Sequence, residues 1–326
     1  MNYRLKIGQP ADRALLSRNF DISYTKEFFA FQEKYYGLKS DFLFISAAED
    51  EILAALPFNI NEEKKDFYAV YKNYSFPYFA QPAVKLDWLE LARTIKNDLG
   101  YKYVAFRLAF LPENFGQKNL KLEPVSAYVI NTADQDNEET FLARASIKTR
   151  NQIKKAQKSG LIIKNLAKNR LEDIYNLYQE NMRWHGTPPK SMDFFRDFFS
   201  CFNERCFALG AFAEDKLIGV NLAVTAEAGL KLFFNFSNRA YRNQCVNDLL
   251  YFKMLTLAQQ TGVRHFDLGT CANDDSGHIH FKLGFGAVKI PLWHLSYGSM
   301  ERKLYFFYQQ KRRNLIMRWK RLSRKF

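Results

Sequence analysis

The sequence lacks the features that would direct a protein across or into a membrane. Its 326 residues include only four cysteines, and no two of them form a CxxC pair. We interpret them as reduced thiols of the kind found in cytoplasmic proteins. No apolar run approaches the length that spans a bilayer, and the first thirteen residues, MNYRLKIGQPADR, contain no apolar signal-peptide core. We therefore expect a cytoplasmic protein.

Acidic residues are missing from the segment between Leu142 and Gly160, which carries six cations. Small and apolar residues recur in it at spacings of three and four, which predicts one helix with a narrow buried face that ends at Gly160. The apolar residues 161–163 then predict a buried strand. Because like charges in a row repel one another, an anionic partner would stabilise this helix; a solvated face on a connecting helix is the alternative. The six cations are Arg144, Lys148, Arg150, Lys154, Lys155 and Lys158.

The net charge of +14 is concentrated in two segments. Residues 301–326 contribute +9 and the basic helix +6, so the rest of the chain is close to neutral. This distribution favours local recognition of phosphate over a generally basic coat for nucleic acid. The C-terminal segment mixes cations with aromatic and aliphatic residues, which predicts an amphipathic helix on anionic lipid. An RNA clamp and a helix docked on the protein are the alternatives.

The chain repeats one order of secondary structure. Each half contains a predicted hairpin, a third strand, a helix and a further strand. In the first half, the hairpin covers residues 41–60 and the helix runs from Asp87, as its N-cap, to Leu99. In the second half, the hairpin covers residues 206–225 and the helix runs from about Val246 to Gln260.

This repeat defines the predicted architecture. The length and the 47% hydrophobic content are sufficient for two cores. We predict an α/β (α+β) fold of two tandem domains, each a mixed sheet flanked by helices. The predicted boundaries are 1–137 for the first domain, 138–160 for the basic connecting helix, 161–300 for the second domain and 301–326 for the basic C-terminal helix.

The order of elements resembles the GNAT acyltransferase fold. Two copies in one chain resemble the FemA/FemB/FemX-like peptidoglycan aminoacyltransferases and their relatives with a BioF2-like acyltransferase domain. Three stretches carry the likeness. Arg144 to Gly160 resembles the basic helix of the family, and Tyr178 to Pro189, YQENMRWHGTPP, resembles its turn after the next helix. FDLGT, from Phe266, and GHIHFKLGFG, ending at Gly286, resemble the C-terminal D-x-G and F-K-x-x-F-G signature.

The resemblance implies an enzyme at the inner face of the membrane that moves an amino acid from aminoacyl-tRNA to an amine of a cell-wall precursor. A lipid-linked saccharide is the alternative acceptor. Because an ester is aminolysed to an amide, no cofactor or metal is required. By resemblance, Lys282 neutralises charge at the acyl-transfer centre and Phe281 contacts the acyl donor. The cations of the basic helix are expected to meet tRNA phosphates.

The same resemblance implies residues of the acceptor site. Arg183, His185 and Thr187 are expected to border it, with Arg183 holding a diphosphate. Asp267 and Gly286 belong to the C-terminal signature and are expected near the substrate. For Asp267, which precedes a Gly-Thr turn, capping of that turn is favoured over the role of a base.

One departure concerns the acyl donor. Acetyl-CoA enzymes of this fold cradle the pyrophosphate with a glycine-rich turn before a helix, whereas residues 241–247 and 81–85 contain no glycine. This argues against coenzyme A and fits a tRNA donor. An acyl-CoA-dependent N-acyltransferase of surface polysaccharide biosynthesis is one alternative, and a non-catalytic RNA- or membrane-binding relative is another. The chain also lacks the sustained heptads of the FemA and FemB coiled-coil arm, so FemX is the closer analogy.

Two histidines raise the question of a metal. His278 and His280 stand close to Asp274 and Asp275, and on a predicted strand both imidazoles would share one face. No third ligand has suitable spacing. The sequence therefore predicts no metal site.

Overall fold

The computed structural model describes residues 3–8, 21–46, 51–71, 73–81, 84–109, 120–132, 137–166, 170–298, 300–301, 304 and 308. Most of the predicted C-terminal helix, 301–326, lies outside these residues. None of the described helices combines the length and apolar character that a bilayer crossing needs.

The strands of the described residues are numbered here in chain order. They are β1 (Arg4–Ile7), β2 (Lys39–Ser46), β3 (Ile52–Asn61), β4 (Asp66–Ala69), β5 (Tyr78–Phe79), β6 (Tyr103–Ala109), β7 (Lys121–Asn131), β8 (Ile162–Asn165), β9 (Cys206–Ala213), β10 (Lys216–Thr225), β11 (Gly229–Ser237), β12 (His265–Ala272) and β13 (Val288–Gly298).

The α-helices are numbered in the same way. They are α1 (Lys26–Tyr36), α2 (Trp88–Asp98), α3 (Glu138–Arg144), α4 (Ile147–Gln157), α5 (Leu171–His185), α6 (Met192–Phe202), α7 (Val246–Gln260) and α8 (Ser276–Gly284). The predicted α2 and α7 are confirmed. Asp87 caps α2 by accepting hydrogen bonds from the N–H groups of Leu89 and Glu90, both at 3.0 Å.

All strands belong to one mixed sheet. Its order is β1-β2-β3-β4-β6-β13-β7-β12-β11-β10-β9-β8, and β5 pairs with β3. The hairpins β2–β3 and β9–β10 and the parallel pairs β4–β6 and β11–β12 repeat one arrangement in the two halves. The predicted α/β fold, with a mixed sheet flanked by helices, is confirmed. The exact domain boundaries stay predictions.

The two halves exchange strands at the centre of the sheet. β7 precedes the basic segment in sequence, yet it pairs with β12 of the second half. β13, which ends the second half, lies between β6 and β7 and pairs with both. The sheet is therefore continuous from one half to the other.

Three large hydrophobic cores and two smaller clusters cover this sheet among the described residues. One contains α2 and the first-half strands. In the second half, α4 and α7 pack on one side of the strands, and α1, α5 and α6 form the other core with aromatic residues such as Phe195 and Phe198. Residues of β10 alternate between the two second-half cores: Val220 and Leu222 belong to one, and Ala223 to the other.

The basic segment is two helices rather than the one that was predicted. α3 ends at Arg144, and Ser146 begins α4 by accepting a hydrogen bond from the Thr149 N–H at 3.1 Å. The Arg150 guanidinium donates to the carbonyl oxygens of Leu142, Ala143 and Ala145 at the end of α3. The serine cap and the Arg150 side chain thus satisfy backbone groups that the break between α3 and α4 leaves without helical partners. The spacing of apolar residues predicts neither of these two features.

The strand after α4 also differs from its prediction. β8 was expected to be buried, but among the described strands it lies at the edge of the sheet and pairs with β9 alone, and Ile162 is 47% exposed. A short apolar run fits a central and an edge strand equally well, so the sequence does not distinguish them.

Candidate active site

A cleft opens where two parallel strands of the second half separate. β11 and β12 pair only from Gly229–Lys231 to His265–Asp267. Beyond this point β11 stays with β10, and β12 follows β7. In the first half, the equivalent pair β4–β6 is continued by Ser75, which bridges Leu108 in parallel. In the first half, the backbone at Ser75 therefore occupies the position beside β6 whose equivalent in the second half is open.

The cleft has a volume of about 600 Å³ and lies between α4, β11, α7 and α8. Its polar and charged lining comes from all four elements, and Tyr251 and Phe281 supply aromatic surface. The polar and charged residues of the lining include Ser146, Lys148, Thr149, Asn235, Arg242, Asn247, Asp275 and Lys282.

The D-x-G sequence forms the point of separation. The register between β12 and β7 shifts between Asp267 and Thr270, and Gly269 has φ 73°. The Gly269 N–H donates to Asp267 Oδ1 at 2.8 Å, so the carboxylate caps this bulge. Bulges redirect backbone groups. Here the carbonyl oxygens of Gly269 and Thr270 meet the Lys282 ammonium.

Asp267 is also the centre of a buried polar network. Its carboxylate pairs with Lys231 Nζ at 2.8 Å and accepts the Tyr74 hydroxyl at 2.6 and 2.7 Å. Lys231 lies opposite it on β11, and Tyr74 comes from the first half. The Lys231 ammonium also lies 3.7 Å from the centre of the Tyr74 ring. Burial, and then the Asp267 carboxylate, raise the pKa of Tyr74 well above its ordinary value.

Sequence reasoning missed Lys231 and Tyr74. The available signal for Lys231 was a lysine at the start of the largely apolar predicted strand KLFFNFS, since buried lysines need a partner. Its identification as the partner of Asp267 requires the strand register. Tyr74 is 193 residues from Asp267 in sequence, and no periodicity joins them.

Lys282 lies at the base of the cleft. It is only 5% exposed, and its ammonium donates to Gly269 O at 2.9 Å and Thr270 O at 3.2 Å. A lysine ammonium has three donors, so one N–H remains for a ligand in the cleft. Burial lowers the pKa of Lys282, while Cys271 and Asp267 act in the opposite direction.

The segment that carries Lys282 is a helix, Ser276–Gly284, whereas a strand was expected at His278 and His280. Asp275 begins α8 by accepting the His278 N–H at 3.2 Å. Gly284 lies against α4, because a Cβ on it would stand 2.4 Å from Thr149 Oγ1. Its carbonyl accepts the Ser146 N–H at 2.9 Å. This tertiary contact outweighs the poor helix propensity of the glycine.

The other glycine of this signature, Gly286, follows the end of α8 with φ 80°. Such a left-handed conformation after a helix favours glycine. Its predicted contact with substrate stays a prediction.

Phe281 is half-buried and lines the cleft beside Lys282. Its ring packs against Tyr251, with 4.9 Å between centroids, and against Phe285, with 5.1 Å. The predicted pair Phe281 and Lys282 therefore shares one cleft. Contact of Phe281 with an acyl donor stays a prediction.

The two histidines on α8 make local contacts. His278 Nδ1 lies 2.7 Å from Asp275 Oδ2, and His280 Nδ1 lies 2.6 Å from Ser276 O. The part of the chain that the structure describes contains no group of three potential ligands suited to a metal ion.

The cations of the basic segment divide into three sets. Lys148 lines the cleft, and Lys155 continues the same side of α4 in an adjacent shallow groove. Lys154 and Lys158 are exposed on the side opposite the buried Thr149, Ile153 and Ala156. The remaining two lie at the break: Arg150 holds the end of α3, and Arg144 is exposed.

The start of α7 faces the same cations. A 3-10 helix, Arg239–Gln244, leads into it, and Cys245 takes φ 54° at the position before the first helical residue. Burial, then Asp248, raise the pKa of the Cys245 thiol, and Lys155 opposes them. Burial raises the pKa of Asp248 to about 6, and Lys148 opposes this shift. The charges of Lys148 and Lys155 thus act at the N-terminus of α7.

The Asp248 carboxylate gives a prediction for stability. Its pKa in the folded protein, about 6, exceeds the ordinary 3.8, so its charge destabilises the fold above pH 6. Asp248→Asn is expected to raise the free energy of unfolding at pH 7 by up to about 3 kcal/mol. At pH 3 and below the gain disappears, because the carboxyl is then protonated in both the folded and the unfolded state. Urea unfolding at both pH values checks this.

Asp215→Asn, in the exposed β9–β10 turn, is the matched control. A gain at pH 7 that equals the control, or that persists unchanged in acid, would contradict the assignment.

The predicted acceptor residues lie near the cleft but outside its lining. His185 ends α5, and Arg183 and Thr187 are exposed beside it. Asn181 Nδ2 donates to Ser237 O at 3.0 Å. The Arg239 guanidinium stacks on Trp184, with 4.3 Å between its Cζ atom and the ring centroid. The end of α5 therefore borders the 3-10 helix that leads to α7. Substrate binding by Arg183, His185 and Thr187 stays a prediction.

Comparisons with known proteins agree with this geometry. Residues 143–283 match the model of an acetyltransferase (GNAT) domain. This region contains α4, β11, α7, β12 and most of α8, and so the whole lining of the cleft. No curated protein matches the chain.

Several solved structures share the fold. A crystal structure of FemX matches with TM-score 0.64 and 10% identity, over 88% of this chain and 96% of that one. The C-terminal domain of a putative lysylphosphatidylglycerol synthetase from Agrobacterium fabrum matches with TM-score 0.57 and 10% identity, over 90% and 93%. A tandem GNAT protein from the clavulanic acid biosynthesis pathway matches with TM-score 0.52 and 11% identity, over 91% and 99%. The region that lines the cleft is thus similar to a GNAT acetyltransferase domain, and the chain shares its fold with a tandem GNAT structure.

Proposed function

We propose that the protein is an aminoacyltransferase that moves an amino acid from aminoacyl-tRNA to an amine of a cell-wall precursor. The observation that carries the proposal is the buried Lys282 ammonium at the base of a cleft, with the cations of α4 leading away from it. The resemblance of the sequence to FemA/FemB/FemX-like enzymes supports it. The names of two structures with the same fold, FemX and a lysylphosphatidylglycerol synthetase, point in the same direction.

The residues of the cleft suit aminolysis of an ester. The acceptor amine attacks the ester carbonyl, a C–N bond forms, and the bond from the carbonyl carbon to the ribose oxygen breaks. The amine loses a proton to solvent and the departing oxygen gains one. Negative charge develops on the carbonyl oxygen and then on the ribose oxygen. The remaining N–H of Lys282, fixed by two backbone carbonyls, is placed to stabilise that charge with little reorganisation.

The donor side of the cleft supports tRNA over coenzyme A. The turn before α7 has no glycine, and Cys245 takes the left-handed conformation there. Lys148, Lys155 and Arg242 instead offer side-chain cations beside that helix. This row of cations extends beyond the cleft along α4. Binding of a polyanion longer than a pyrophosphate would require such a row.

Two pairs of lysines on α4 test this donor surface. Replacing Lys148 and Lys155 with Ala is expected to weaken tRNA binding by about 10-fold or more at 0.1 M salt and to reduce the slope of log K against log salt by about two. The pair Lys154→Ala and Lys158→Ala removes the same charge from the side away from the cleft, and is expected to change both quantities less. Filter binding over a salt series gives the two slopes.

Equal effects of the two pairs would show that α4 contributes only its overall charge. Wild-type affinity in both variants would show that it is a solvated face.

A transfer assay tests the reaction itself. The purified protein is given either tRNA charged with the twenty amino acids or a set of acyl-CoA thioesters, together with a soluble cell-wall stem peptide. We expect mass spectrometry to find one aminoacyl adduct on the amine, and only with charged tRNA. An adduct formed from acyl-CoA alone would instead favour an acyl-CoA-dependent N-acyltransferase, and the absence of any adduct with either donor would contradict transfer to the stem peptide.

The acceptor side of the proposal places Arg183, His185 and Thr187 around a diphosphate of the precursor. They lie at the end of α5, where the ring of Trp184 stacks with the Arg239 guanidinium of the 3-10 helix that leads to α7. A lipid-linked saccharide carries the same diphosphate and is the second acceptor to be tested.

The C-terminal segment is proposed to hold the enzyme on the inner membrane surface. Residues 309–326 combine cations with Trp319 and several aliphatic residues, a composition that binds anionic lipid. Deletion of 309–326 is expected to abolish co-sedimentation with anionic vesicles and to leave transfer to the soluble stem peptide near wild type. Equal sedimentation of the truncated and full chains would refute the anchor.

A further inference from the structure

Three asparagines meet at the side of the cleft. Asn221 on β10 and Asn235 on β11 are register partners, and Asn247 lies in the first turn of α7. Asn235 Nδ2 donates to Asn221 Oδ1 at 2.6 Å and to Asn247 Oδ1 at 3.3 Å. Asn221 is fully buried, and its own Nδ2 has no hydrogen-bond partner among the described residues. A buried asparagine normally has hydrogen-bond partners for its polar atoms. The three side chains therefore form a defined polar cluster rather than a chance arrangement at the surface.

This arrangement fixes which end of the Asn235 amide a ligand meets. Both hydrogens of Nδ2 are directed at the two neighbouring carbonyl oxygens. Asn235 lines the cleft, and its Oδ1 accepts no hydrogen bond from the described residues. An amide oxygen has acceptor capacity only. Asn235 thus presents a fixed acceptor in the cleft. The charged groups of the lining include the donors Lys148, Arg242 and Lys282, and the Asp275 carboxylate, which accepts the His278 N–H and lies 2.7 Å from His278 Nδ1.

We propose that Asn235 determines donor specificity by accepting a hydrogen bond from the α-amino group of the transferred amino acid. The inference rests on the proposed function and extends it to the acyl group. Phosphates and the developing oxyanion are matched by Lys148, Arg242 and Lys282, which cannot accept a hydrogen bond. An amino group that enters the cleft loses water and needs an acceptor. An acyl group without that amine would leave the Asn235 oxygen without a donor, and a site built for a hydrogen bond rejects such analogues.

The experiment compares two donors that differ only in the amine. Wild type is first given tRNA charged with the twenty amino acids, and the amino acid that it transfers is identified. The same tRNA is then loaded either with that amino acid or with its desamino analogue, for example alanyl- and propionyl-tRNA. The ratio of kcat/KM for the two donors is the selectivity. We expect wild type to favour the amino donor by about 10-fold to 10²-fold.

Two substitutions at one position separate the acceptor from the packing. Asn235→Ala removes the oxygen and is expected to lower the selectivity by about 10-fold or more, mainly through a lower rate with the amino donor. Asn235→Asp keeps an acceptor oxygen in the cleft, with the Asn221 and Asn247 amides rotated to donate to its other oxygen, and is expected to keep the selectivity. Asn165→Ala, on the exposed edge strand β8, is the matched control with wild-type selectivity. Thermal unfolding of each variant verifies that it is folded.

The outcomes are distinct. No transfer of any amino acid by wild type overturns the proposed function. Transfer by wild type with the same selectivity in Asn235→Ala overturns only the role of Asn235. Loss of selectivity in Asn235→Asp to the level of Asn235→Ala also overturns it, since the ligand would then require the amide N–H. If Asn235→Ala does not fold, the Asn235→Asp result decides alone.

Discussion

Replacing Lys282 with Met is expected to lower turnover by about 10²-fold or more, as for the loss of one preorganised stabiliser. Met keeps most of the aliphatic stem and removes the charge, so the packing around α8 should change little. Lys282 is 5% exposed, and its ammonium donates to Gly269 O and Thr270 O. In this environment its attraction for a developing oxyanion is stronger than in water. Donor affinity is expected to change much less, because phosphates are bound elsewhere.

Steady-state kinetics on the folded variant, with Lys289→Met on the exposed part of β13 as control, decide this. Near-normal turnover with weaker donor binding would leave Lys282 as a binding residue only.

The pH dependence of turnover gives a second check on the role of Lys282. Burial lowers the pKa of Lys282, and only the charged form stabilises an oxyanion. Wild-type turnover should therefore fall on the alkaline side at a pH below 10.5, and the residual rate of the Met variant should lack this fall.

Asp267→Asn is expected to destabilise the protein by about 3–5 kcal/mol. The change removes the charge that neutralises Lys231, and an uncompensated buried ammonium is costly. Both side chains are almost fully buried, at 7% and 6% exposure. The variant should also weaken transfer, because Asp267 caps the bulge that presents two carbonyls to Lys282. Denaturant unfolding measures the first effect.

A double variant distinguishes the effect of an unpaired buried charge from the effect of the altered side-chain shape. Lys231→Met combined with Asp267→Asn removes both charges, and a buried pair replaced together costs far less than one broken pair. We expect the double variant to be more stable than Asp267→Asn alone. Tyr74→Phe, which removes one hydrogen bond and no charge, should cost about 1–2 kcal/mol. Additive losses in the double variant would contradict the ion pair.

Much of the fold followed from local signals. The N-cap at Asp87, the bounds of α7 at Val246 and Gln260, and both hairpins are determined by residues close together in sequence. The candidate site depended on one stretch, FKLGFG, and on resemblance. Lys282 and Phe281 do lie together in the cleft. Whether they act as predicted is for the kinetics to decide.

The features that were missed depend on contacts distant in sequence. A strand was expected at His278 and His280, but Gly284 packs on Thr149 and the segment is helical. The lysine that pairs with Asp267 is specified by register, and Tyr74 reaches it from the other half. Asn235 gave no sequence signal, because its role depends on two partners in β10 and α7.

The position of β13 has a consequence for synthesis on the ribosome. β6 is paired on one side by β4 and on the other by β13, whose residues, Val288–Gly298, are among the last of the described chain. Until they emerge, the first half presents an open strand edge and β7 lacks one of its two neighbours. Open edges invite pairing with other chains. The nascent protein thus remains exposed to aggregation until β13 has been synthesised, and neither half is closed by its own residues.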